Sequence, residues 1–146
     1  MDEVIRLFNE NSVRYLVIGG QAMRLEGMPR FSMDWDLYVP DEGANIELIN
    51  ALLGDELELP LVPIGPGGEN FVQTYQTQWG VLQFHLGGPG LPLFDEAEKR
   101  SVFRRNENDT DVRCLCTEDL LATKRAANRP VDQADIRFLE TKLGGS

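Results

Sequence analysis

The feature that most constrains this chain is an apolar stretch that runs into two glycines and is followed, after the next glutamine and twelve intervening residues, by two aspartates separated by one residue. Val13-Arg14-Tyr15-Leu16-Val17-Ile18 is rich in β-branched and aromatic side chains and predicts a buried strand. Gly19-Gly20 turns that strand into a short helix, Gln21 to about Leu25, which Gly27 and Pro29 end. Phe31 to Val39 predicts a second strand, stopped by Pro40. Side chains alternate faces along a strand, so Asp34 and Asp36 share one face while Trp35 and Leu37 take the other.

Two carboxylates on one face repel each other and lose hydration, so an ordinary core would not select them. A divalent cation removes that penalty. Hard oxygen ligands at this spacing suit Mg²⁺, or Mn²⁺ as a substitute, with phosphate oxygens and water completing an octahedron. Gly19-Gly20, between a buried strand and a helix start, lacks side chains that would keep a phosphate away and leaves N–H groups free for an anion. A P-loop is excluded because no Gly-Lys-Ser/Thr follows the glycines, and GGQAMR lacks the glycine spacing of a dinucleotide fingerprint. There is no zinc-ligand spacing.

The remaining chain predicts helices alternating with strands. Residues 2–11 carry Val4, Ile5, Leu7 and Phe8 as an apolar helical stripe. Asp41 is a candidate cap for a helix to about Leu53. Residues 54–69 are rich in Pro, Gly and acids and read as a loop. Phe71–Thr77 and Val81–Leu86 alternate with a period of two around a Gln78-Trp79-Gly80 turn and predict a hairpin. Phe94–Lys99 predicts one or two helical turns, and Val102–Arg105 with Val112–Cys116 a second strand pair. Thr117, followed by Glu118 and Asp119, opens a helix to about Asn128. Pro130 suits the first turn of a last helix ending near Leu143, closed by Gly144-Gly145. The expected class is α/β, or α+β in stricter usage: a mixed sheet of four to six strands with helices packed on it and a helical C-terminal tail.

At 146 residues, one domain spanning 1–146 is expected, with a core that needs no disulfide or metal staples. Cys114 and Cys116 are too few and too close for a disulfide framework, which points to a reducing cytoplasm. The acidic, amphipathic N-terminus is unlike a secretory signal, and no apolar run is long enough to span a bilayer. The net charge of −10 argues against broad binding to nucleic acid, but it is unevenly spread. Residues 1–98 carry 16 acids and 4 bases, whereas residues 99–146 carry 8 acids and 10 bases. An acidic front half suits a cation, and a basic back half suits a polyanion such as a nucleoside triphosphate.

The stretch YLVIGGQAMRLEGMPRFSMDWDLYV resembles the core of the nucleotidyltransferase superfamily: a Gly-Gly or Gly-Ser turn, a short helix, then a strand bearing DxD. The tail TEDLLATKRAANRPVDQADIRFLE is similar to the C-terminal motif of minimal nucleotidyltransferases of the AbiEii/AbiGii toxin-like group, with Lys124, Arg129, Asp132 and Asp135 at the matching positions. The resemblance implies Mg²⁺-dependent transfer of a nucleoside monophosphate from an NTP to an acceptor, with release of pyrophosphate. It implies that Gly19, Gly20 and Gln21 hold the triphosphate, that Asp34 and Asp36 hold the metal, that Ser32 contacts a phosphate or the carboxylates, and that Lys124 neutralises phosphate charge. The acceptor is left open among a tRNA, a protein side chain and a small molecule such as an aminoglycoside.

One departure stands out. Many active members of that superfamily carry a third carboxylate on a later strand, facing the DxD pair. Here the corresponding strand, Val81–Leu86, offers Gln83 and His85 on one face and no acid. His85 is a candidate base or ligand, and Asp132 or Asp135 from the tail is the alternative supplier of the acid. Two functions follow: an active nucleotidyltransferase, which the intact Gly-Gly and DxD favour, or a catalytically degenerate binding module of a toxin–antitoxin or phage-defence pair, which the missing strand acid favours. The sequence leaves oligomeric state open.

Overall fold

The computed structural model describes residues 1–144 and contains a mixed six-stranded sheet with six α-helices. The helices are α1 (Asp2–Glu10), α2 (Gly19–Leu25), α3 (Gly43–Leu53), α4 (Phe94–Arg100), α5 (Thr117–Ala127) and α6 (Gln133–Lys142). The strands are β1 (Leu16–Ile18), β2 (Trp35–Tyr38), β3 (Val72–Thr77), β4 (Gly80–His85), β5 (Val102–Arg105) and β6 (Asp111–Cys114), in the spatial order β3-β4-β2-β1-β6-β5. β1 runs antiparallel to β2 and parallel to β6, and β2 runs parallel to β4. The hairpins β3–β4 and β5–β6 extend the sheet to either side.

The middle of the sheet supplies much of the core. Leu16, Val17, Leu37, Leu82, Phe84 and Val112 are fully buried, and Val4, Ile5 and Phe8 of α1 join them from one helical stripe. Among the described residues, no helix is long and apolar enough to cross a membrane.

Several element boundaries differ from the sequence pattern, and both early strands are shorter than it predicts. The first strand begins at Leu16 rather than Val13. Arg14 N donates to Asn45 Oδ1 at 2.8 Å and Asn45 Nδ2 donates to Arg14 O at 3.0 Å, so the amide of a buried asparagine stands in for a neighbouring strand. The second strand begins at Trp35 rather than Phe31, because the preceding residues form a loop held by side chains. Helix α2 starts at Gly19, two residues earlier than expected. Asp41 does not cap α3: its Oδ1 accepts from Ile64 N at 3.2 Å, and Glu42 occupies the cap position without a side-chain bond. The last helix is broken into a 3₁₀ turn, Pro130–Asp132, and α6. Gly145, expected to help close that helix, lies outside the described residues.

Candidate active site

The strand-to-helix turn between β1 and α2 is set by glycine. Gly19 has φ +68°, a left-handed conformation that costs an L-residue strain. Ile18 pairs with Asp36 in the β1–β2 register, which brings the Asp36 carboxylate directly over the turn. A Cβ on Gly19 would lie 2.5 Å from Asp36 Oδ2, so the carboxylate rests against bare backbone that only glycine leaves uncovered. Gly20 is closed off differently, since a Cβ there would lie 2.7 Å from Ser32 Oγ.

The two aspartates differ in setting. Asp36 is within β2 and partly buried, whereas Asp34 stands one residue before the strand and is exposed; Trp35 between them is buried, as strand alternation requires. The other oxygen of Asp36, Oδ1, lies 2.9 Å from His85 Nε2. In the parallel β2–β4 register Asp36 is opposite Gln83 and Tyr38 is opposite His85, so the imidazole reaches diagonally back to the carboxylate. The strand that lacks an acid therefore presents a histidine in contact with Asp36 and a half-buried glutamine beside it.

The loop between α2 and β2 carries Ser32 and Asp34 without a backbone ladder of its own. Gln21, buried on α2, donates from Nε2 to Ser32 O at 2.7 Å and accepts at Oε1 from Arg24 Nε at 3.0 Å. Its amide is thus engaged at both ends in holding this loop. Ser32 Oγ donates to Asp34 O at 3.2 Å.

The four tail residues singled out by sequence come together. Lys124 Nζ on α5 lies 3.0 Å from Asp135 Oδ2 and 3.8 Å from Asp132 Oδ1. Asp132 is almost wholly buried and is gripped by Arg129, whose Nε and Nη2 donate at 2.9 and 3.0 Å while its backbone N–H donates at 3.1 Å. The Arg129 guanidinium holds the Asp132 carboxyl below its ordinary value of 3.8, against the opposing effect of burial. Asp135 accepts from Arg30 Nη1 with both oxygens, at 3.0 and 2.8 Å. Both tail acids are engaged by cations, an arrangement that favours holding charge in place over activating an acceptor. The Arg30–Asp135 pair, 105 residues apart in sequence, has no signal in spacing or periodicity.

Gly19, His85, Lys124 and Arg129 line one cavity of about 280 Å³, with Phe71, Val72 and Leu91 among its apolar walls. The loop that includes Gly87 and Gly88 forms one side and is pressed onto α5 at Gly90, where φ is +78° and a Cβ would lie 2.5 Å from Ala126 Cβ.

Asp34 and Asp36 offer hard carboxylate oxygens, and no group of three or more His, Cys, Asp or Glu side chains is arranged to hold a metal among the described residues. A cation bound by these two residues would complete its shell with water and oxygens of a substrate, as Mg²⁺ does where it is carried with a phosphate. The residues fit such a role and do not fit a closed, all-protein cage.

No protein-family profile matches the sequence, and no curated protein does. The fold is similar to the crystal structure of a Thermotoga maritima protein described provisionally as a nucleotidyltransferase, with a TM-score of 0.64 and 12% sequence identity, over 99% of this chain and 90% of that one. At that identity the likeness establishes the fold: a nucleotidyltransferase-like α/β arrangement with C-terminal helices.

Proposed function

We propose that this nucleotidyltransferase-like chain is a single-domain, Mg²⁺-dependent nucleotidyltransferase that moves a nucleoside monophosphate from an NTP to an acceptor. The observation that carries this reading is the Asp36 carboxylate lying against the bare backbone of Gly19, with Asp34 two residues away and exposed. His85 engages only one oxygen of that carboxylate; the other lies against the turn with no side-chain partner among the described residues, which suits a cation ligand better than a structural ion pair.

When bound, Mg²⁺ or Mn²⁺ would neutralise phosphate charge and brace an in-line displacement. Asp34 and Asp36 would hold it, and Gly19, which lines the cavity, would let the triphosphate approach the backbone, with Gly20 beside it under Ser32. His85 keeps Asp36 in one orientation through its 2.9 Å contact. Lys124 borders the same cavity as Gly19 and His85, in a network where Arg30, Lys124 and Arg129 face only Asp132 and Asp135. That network keeps one surplus positive charge, which suits a polyanionic substrate. The gathering of Lys124, Arg129, Asp132 and Asp135 supports the likeness to the AbiEii/AbiGii toxin-like group. The acceptor class stays open among tRNA, protein and small molecule.

A second reading has its own observation. Gln83, not an acid, stands opposite Asp36 in the β2–β4 register, which favours a member of the fold that binds nucleotide or a toxin–antitoxin partner without turnover.

The test is a calorimetric titration of ATP, GTP, CTP and UTP into the protein, with and without Mg²⁺, followed by assay of pyrophosphate release. Magnesium-dependent binding that disappears in Asp34→Asn and Asp36→Asn, with the fold intact, supports the nucleotide site. Binding without pyrophosphate release in the presence of candidate acceptors favours the second reading. No binding of any NTP by the folded protein rejects the nucleotide site, and so does a gain in stability in the two variants with no loss of binding.

A further inference from the structure

The loop that presents Asp34 reaches the tail of the chain through one carboxylate. Asp135 lies in the first turn of α6 and is 3% exposed. Its oxygens accept from Arg30 Nη1 at 3.0 and 2.8 Å, and Oδ2 is also 3.0 Å from Lys124 Nζ. Arg30 stands two residues before Ser32 and four before Asp34. From another direction, the buried Gln21 amide donates to the Ser32 carbonyl at 2.7 Å. β2 starts only at Trp35, so side chains rather than a strand ladder give this loop its path.

We infer that Asp135 is a positioning residue: through Arg30 it sets the path of the loop that presents Asp34, and so couples the two-carboxylate site to the C-terminal helices. A charge-assisted pair reaching a buried carboxylate is screened less by water and salt than the exposed ion pairs on the surface, such as Arg105 with Asp111. Asp135 also holds Lys124 at the edge of the cavity that Gly19 lines, which places the loop and the lysine under one anchor. The loop-setting role stands on geometry alone; its consequence for metal binding rests on the nucleotide reading.

Arg30→Gln is the first variant to make, because Asp135 keeps Lys124 as a partner and is not left as an uncompensated buried charge. Asp135→Asn and the double variant complete a cycle. Two readouts are taken on the full chain: backbone ¹⁵N heteronuclear NOEs of residues 30–34, and Mn²⁺ binding followed by electron paramagnetic resonance, with and without ATP. Lower NOEs in residues 30–34 in both single variants, with those of the central strands unchanged, are the expected result. Alongside them, Mn²⁺ affinity in the presence of ATP should fall, and the double variant should be no worse than the poorer single one. Unchanged NOEs in a folded Arg30→Gln protein overturn the inference, and so do losses of affinity that simply multiply in the double variant. If wild type binds neither Mn²⁺ nor Mn²⁺ with ATP while the NOEs respond as expected, the nucleotide reading fails and the loop-setting role stands.

Discussion

His85 Nε2 lies 2.9 Å from Asp36 Oδ1, across two neighbouring parallel strands, while the opposite oxygen of the same carboxylate faces the backbone of Gly19. One aspartate is therefore held from two sides, by an imidazole and by a turn that has no side chain. Removing the imidazole tests the first. His85→Ala is expected to weaken magnesium-dependent ATP binding by roughly tenfold or more, the low end for an outer-shell partner, without unfolding the protein. Calorimetric titration measures this, and unchanged affinity would mean that β2 alone orients the carboxylate.

The turn is tested by Gly19→Ala. The methyl group would occupy a left-handed conformation, at a cost of about 1–2 kcal/mol, and would also meet Asp36 Oδ2. A lowered midpoint of thermal unfolding and loss of magnesium-dependent nucleotide binding are expected together. Gly43→Ala provides the control, because nothing lies within 4 Å of a Cβ there.

Asp132 makes a pH-dependent contribution on the acid side. Its folded-state pKa is held below 3.8 mainly by Arg129, so the unfolded chain takes up the proton first as pH falls. The stabilisation is complete above the ordinary carboxylate range and is lost as pH falls through the folded-state value. Asp132→Asn should flatten the acid limb of a stability-versus-pH curve measured by urea unfolding. An unchanged limb would show that Arg129 forms its pair equally well in the unfolded chain.

The two cysteines report on unfolding. Both are buried and unpaired, and burial pushes the Cys114 thiol up to about 12, leaving no thiolate at neutral pH. Neither should react with a disulfide reagent in the native protein, and both should react once urea unfolds it. Rapid labelling of Cys114 without denaturant would show local opening of β6.

Much of this architecture was legible in the linear pattern, because it depends on interactions between neighbours in sequence. The stripe Val4, Ile5 and Phe8 made α1, the alternation in Phe71–Thr77 and Val81–Leu86 made the β3–β4 hairpin, and Thr117 with Glu118 and Asp119 marked the start of α5. The Gly-Gly turn and the spacing of Asp34 and Asp36 were likewise local. What local pattern could not convey was substitution of side chain for backbone. Asn45 bonds both backbone groups of Arg14, so the first strand starts later than β propensity alone predicts, and Asn50 and Gln73 likewise bond both backbone groups of Leu61 and Val62 within the loop.

The sequence by itself determined the kinds of groups at the site and the order in which they occur: a bare turn, two carboxylates, one histidine and a tail with lysine, arginine and two acids. Tertiary structure alone decided which of them meet. His85 meets Asp36 because β2 and β4 pair in parallel, a register set by the buried faces of Leu37, Leu82 and Phe84. Asp135 meets Arg30 and Lys124 because the chain folds its tail back and a buried carboxylate is tolerated only beside a cation, whereas Arg129 and Asp132, three residues apart, pair locally. Side-chain chemistry is written residue by residue, but the partner of a charge is chosen by desolvation, and desolvation depends on how the whole chain packs.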